Sequence, residues 1–87
     1  MRQTPEFFGE ADLPLVYIAK RLKESLKVEE VLTANGLDYL VEPDTYVGGM
    51  IFHTERIGAF FYVAPAREAE ARGVLTAQGF KPYNSPP

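Results

Sequence analysis

The segment Val31-Leu32-Thr33-Ala34-Asn35-Gly36-Leu37 returns 43 residues later as Val74-Leu75-Thr76-Ala77-Gln78-Gly79-Phe80, and Val16-Tyr17-Ile18-Ala19 returns as Phe61-Tyr62-Val63-Ala64. Self-similarity at a fixed spacing marks a supersecondary unit used twice. Each copy runs from a β-branched and aromatic segment, through a stretch with helical spacing of apolar residues, to a glycine and a second apolar segment. That order reads as strand, helix, strand.

Two such units with right-handed crossovers interleave into one sheet, which predicts an α+β, ferredoxin-like βαββαβ sandwich: a four-stranded antiparallel sheet with two helices on one face. Residues 1–14, punctuated by Pro5, Gly9 and Pro14, form an N-terminal arm; residues 15–83 form a single domain, and residues 84–87 a tail. The first strand is expected over Leu15 to Ala19. A helix from about Arg21 to Asn35 follows, turning Ser25, Val28, Val31 and Leu32 inward and ending at Gly36. The second strand runs from Leu37 to about Glu42, where Pro43 and Asp44 break it. Ala59 to Val63 makes the third strand, and Pro65 opens the second helix, which Gly79 ends. Phe80 to Tyr83 makes a fourth strand, with Pro82 tolerable only at an edge or bulge.

Because strand residues alternate between faces, repeated positions are expected to agree. Val16, Ile18, Phe61 and Val63 are therefore assigned to the helix side, and Tyr17, Phe60 and Tyr62 to the open face. Two adjacent aromatics on the arm, Phe7 and Phe8, are expected to pack on this subunit or on a neighbour.

Eighty-seven residues allow one modest core. The absence of cysteine removes disulfides, thiolate metal sites and cysteine catalysis, and agrees with a cytoplasmic location. Glu6, Glu10 and Asp12 stand where a signal peptide needs an apolar stretch, and no run reaches the roughly 18 apolar residues of a membrane span. A net charge of −3 argues against nucleic acid as the main partner.

Three features carry functional content. The open face is expected to be an oligomer interface of Tyr17, Phe60 and Tyr62, with Leu26 off the inward stripe of the first helix at a further subunit contact. The same aromatics allow two alternatives, an RNA-recognition type of domain that stacks bases on Tyr17, Phe60 and Tyr62, or a face half-buried by the arms of the same chain. Lys20, Arg21, Lys23 and Lys27 gather at the start of the first helix, against the helix dipole, so Lys20, Arg21 and Lys23 form a candidate anion site. A solvated basic face is the competing reading.

The connection from Pro43 to Ile57 is longer than a hairpin needs. It reads as a ligand or partner loop with Tyr46, Gly48, Gly49, His53, Glu55 and Arg56, or as a hairpin extension in which Tyr46-Val47 pairs with Met50-Ile51-Phe52. His53 has no second histidine or cysteine with which to build a zinc site, so no metal is expected. No nucleophile elbow or paired carboxylate appears, which leaves catalysis without residues and points to a non-enzymatic role without a cofactor.

Val16-Tyr17-Ile18-Ala19, the charged first turn with Leu22, the run Val31 to Leu37, and Val63-Ala64-Pro65 before an Ala- and Glu-rich helix together resemble a family of small bacterial signal-transducing proteins similar in fold to the nitrogen-regulatory PII proteins. The resemblance spans about residues 15 to 80. It implies a regulatory homo-oligomer, dimer or trimer, whose Pro43 to Ile57 loop engages a protein partner or small effector. An amino-acid or nucleotide sensor is the further alternative.

Overall fold

The computed structural model describes residues 1–9, 12–48 and 54–84. In chain order the elements are helix α1 (Pro5–Phe8), strand β1 (Leu15–Ala19), helix α2 (Leu22–Ala34), strands β2 (Tyr39–Gly48) and β3 (Thr54–Val63), a 3₁₀ turn (Pro65–Arg67) and helix α3 (Glu68–Ala77). The strands form one antiparallel sheet in the order β1-β3-β2. The expected four-stranded sheet with two helices is therefore replaced by three strands and three helices.

The repeat survives where local physics governs it. Gly36 (φ 70°) and Gly79 (φ 86°) both adopt the left-handed conformation after their helices. Gly36 N–H donates to Thr33 and Leu37 N–H to Leu32, at 3.1 and 3.0 Å; Gly79 N–H donates to Thr76 and Phe80 N–H to Leu75, at 3.0 and 2.9 Å. Each helix end is thus the same paired motif, which satisfies carbonyls that have no partner within the helix. Leu32 and Leu75 are fully buried, and they share the core with Val16, Val28, Leu37, Phe61 and Val63.

The copies part three residues beyond each glycine. In the first, Tyr39 opens β2; at the same place in the second stands Pro82, which lacks a ladder donor. Phe80 to Tyr83 consequently forms no strand. Tyr83 N–H alone reaches β1, at Val16 C=O (2.8 Å), and Arg72 holds the segment by donating to the carbonyls of Tyr83 and Leu15 while it pairs with Glu68 at 2.9 Å.

β2 does not break at Pro43. It continues to Gly48, opposite β3 throughout, because β2 is an edge strand. Tyr39 turns its N–H to Met1 and its C=O to Gln3, away from β3. Alternate residues of an antiparallel ladder face the same way, so Val41, Pro43 and Thr45 also face outward, where the proline's missing donor costs no ladder bond. The third strand likewise begins earlier than expected, at Thr54 rather than Ala59.

The face assignment holds for Val16, Phe61 and Val63 and fails for Tyr17 and Ile18. A bulge between Leu15 and Tyr17 sets Leu15 opposite Tyr62 but Tyr17 opposite Phe61. The extra residue shifts the alternation. Tyr17 enters the core, edge-to-face with Phe61 and Phe80 at 6.5 and 5.7 Å between ring centroids, and Ile18 lies opposite Phe60 on the other side.

Candidate functional site

Two tyrosines of the sheet reach through the core to acids on α2. Tyr17 Oη donates to Glu24 Oε2 at 2.8 Å, and Tyr39 Oη donates to Glu29 Oε1 at 3.0 Å. Burial, then the hydrogen bond and charge of Glu24, push the Tyr17 phenol up to about 12. Tyr39 is raised by burial and Glu29, against an opposing hydrogen bond from Thr33. Both phenols are therefore neutral hydrogen-bond donors at pH 7, fixed in structural roles. Glu24 has its other oxygen on Lys20 N–H at 2.8 Å, so one side chain ties the end of β1 to the start of α2. Only its place in the helix's first turn hinted at this.

Tyr17 is thus removed from the expected oligomer interface and from the aromatic platform of the RNA alternative. Tyr62 and Phe60 remain on the face away from α2 and α3, but that face is not bare. The arm runs beside β2, with a parallel bridge between Arg2 and Tyr39, and carries Pro5 and Phe8 over a hollow shared with Leu40, Glu42 and Tyr62. Phe8 is half-buried, and Phe7, 55% exposed, meets it edge-to-face at 5.0 Å. Burial first, then Asp44 and Glu42, raise the Tyr62 phenol.

The connection from Pro43 to Ile57 is mostly strand. Tyr46 lies opposite Arg56, Val47 opposite Glu55 and Gly48 opposite Thr54. The expected pairing of Tyr46-Val47 with Met50-Ile51-Phe52 is therefore wrong, although extension of the hairpin is right. Beyond the last β1 pair, Ala19 with Ala59, five further β2–β3 pairs project as a two-stranded ribbon. Arg56 and Ile57 on it are exposed, Ile57 by 73%. Tyr46 is half-buried: its ring lies across Gly58, where a Cβ would stand 3.1 Å from Cε1, and Lys20 Nζ sits 5.4 Å from its centroid. Gly49 and His53 lie outside the described residues.

Lys20, Arg21 and Lys23 are brought together as expected. All three are exposed and border a groove of about 680 Å³ with Lys27, Glu24 and Phe80. Lys20 and Glu24 also border a second groove, about 660 Å³, along the outer edge of β1, where Ile18, Tyr46, Phe60 and Lys81 meet. Sequence reasoning missed Lys81, which local order places far from α2 and the end of α3 returns to it. Leu26 is 57% exposed and Leu22, one turn earlier on α2, 76%. Among the described residues no three Asp, Glu or His side chains converge to hold a metal ion, and no helix is long and apolar enough to cross a membrane. Compared with family models, curated proteins and solved structures, the chain matches none of them.

Proposed function

We propose that this chain is a non-enzymatic regulatory or binding module that engages a protein partner through the β2–β3 ribbon. The observation that carries the reading is the projection of five residue pairs beyond the body of the sheet, with Ile57 and Arg56 exposed on them. A β-branched apolar side chain held in water on the ribbon, opposite Thr45, gains most from burial against another surface. Two of the three shifted phenols, Tyr17 and Tyr39, are bound to Glu24 and Glu29, and the third, Tyr62, lies under the arm.

Affinity capture with the wild-type chain and with Ile57→Asp/Arg56→Glu, followed by reconstitution of any retained protein in purified form, tests this. A partner that binds the wild type and loses at least about tenfold in affinity for the variant, roughly 1.4 kcal/mol, supports the reading. Equal binding by the two refutes it.

Self-association is a second reading, favoured by Leu22 and Leu26, which lie four residues apart on one side of α2 and are both exposed. It keeps the expected contact at Leu26, adds Leu22, and leaves out Tyr17, Phe60 and Tyr62. Light scattering on the eluting protein decides it: an oligomer that becomes monomeric in Leu22→Ser/Leu26→Ser keeps the reading, and a wild-type monomer ends it.

A further inference from the structure

The two edges of the sheet are treated differently. On β2 the arm takes both outward groups of Tyr39, Pro43 has no donor, and the outward Thr45 N–H is taken by Asp44 Oδ1 at 2.7 Å. Such devices hinder strand pairing along an edge, although Val41 keeps its outward groups without a backbone partner among the described residues. On β1, Leu15 C=O is taken by Arg72 and Val16 C=O by Tyr83 N–H. Val63 N–H donates to Pro14, so Val63, Phe61 and Ala59 face β1 and are met there by Tyr17 and Ala19. Ile18 therefore turns both its N–H and its C=O outward, into the 660 Å³ groove. No backbone group among the described residues meets them.

The charge around this opening is one-sided. Lys20 and Lys81 border the groove, and Arg21, Lys23 and Lys27 border its continuation along α2, so five of the nine basic residues lie on one surface of a chain whose net charge is −3. None of the five makes an ion pair among the described residues. The one acid among them, Glu24, accepts from Tyr17 and from Lys20 N–H, which leaves its charge partly spent inside the fold.

We infer that the outer edge of β1 binds an extended acidic peptide segment of another protein. Its backbone pairs with Ile18, its carboxylates meet Lys20 and Lys81, and its alternate apolar side chains lie on Phe60 and the Tyr46 ring. A second copy of this chain is the poorer occupant. Two β1 edges joined about a two-fold axis would bring ten like charges, five from each copy, into one interface, and the β2 edge is obstructed by the arm and Pro43. Lys20 and Tyr46 bring the groove against the base of the ribbon, but Ile57 lines a different hollow, with Leu22 and Ser25, so the two proposals fail separately.

The probe is a fluorescein-labelled peptide of about nine residues, alternating glutamate with valine and blocked at both ends, followed by anisotropy. Binding is expected at about 50 mM salt and is expected to weaken steeply by about 500 mM. Lys20→Glu/Lys81→Glu lowers the affinity by at least about tenfold at an unchanged Tm, while the uncharged Ile57→Ser leaves it as it was. Two further peptides, N-methylated at the odd or at the even residues, keep every charge and lose donors along one edge only. One of them is expected to bind about tenfold more weakly than the other. The inference is overturned by absence of binding at low salt, by equal affinity for the double variant, by equal binding of the two methylated peptides, or by tighter binding of a single-stranded oligonucleotide of the same charge.

Discussion

Tyr17 shows how far one side chain can depart from its pattern. The repeat equates it with Tyr62, yet the bulge at Val16 sends it to the opposite side, where Glu24 accepts its proton donor. Tyr17→Phe is expected to cost about 1 kcal/mol in urea unfolding, the usual value of one such bond. A pH dependence follows. The folded phenol ionises near 12, above its ordinary 10.0, so the stability it contributes is complete below pH 10 and is lost as pH rises toward 12. Thermal melts between those limits are expected to fall more steeply for the wild type than for Tyr17→Phe; parallel slopes would remove the assignment. Gly58 is the other revealing position. A methyl there would stand 3.1 Å from Ala19 C=O and from the Tyr46 ring and 3.2 Å from Ile18, so Gly58→Ala is expected to destabilise by about 1–2 kcal/mol and to displace Tyr46, read from its ring resonances.

Helix ends are where sequence and structure agree best. Gly36 and Gly79 have positive φ and open space around the missing Cβ, so alanine at either meets only the backbone cost of the left-handed conformation, about 1 kcal/mol. Near-equal losses for Gly36→Ala and Gly79→Ala, with unchanged denaturant slope, are the expected result. The strands were less legible. Pro43 read as a terminator because sequence does not say which strand is an edge, and Pro82 proved the terminator because a single proline beside Tyr83 leaves too few donors for a ladder. Arg72 substitutes for the missing strand by fastening the Tyr83 segment to Leu15. Arg72→Ala is expected to speed hydrogen exchange at the Tyr83 amide by at least about tenfold while the amides of β3 keep their protection.

Across the molecule, the arm decides what the sheet exposes. Removing residues 1–9 uncovers Leu40 and Tyr62 and strips both bonds from Tyr39, so the truncated chain is expected to melt several degrees lower and to bind a hydrophobic dye. A truncated chain with unchanged melting and no dye binding would show that the arm adds nothing. The strand–helix order that opens each copy, the two glycine caps, the buried Leu32 and the basic cluster at α2 were all legible in the amino-acid order, because each depends on contacts within a turn or on a local period. The face taken by Tyr17, the obstruction of one sheet edge by the arm, and the groove shared by Lys81 and Lys20 were not. They depend on which strands become neighbours and on one inserted residue in the ladder, and those are settled only when the whole core packs.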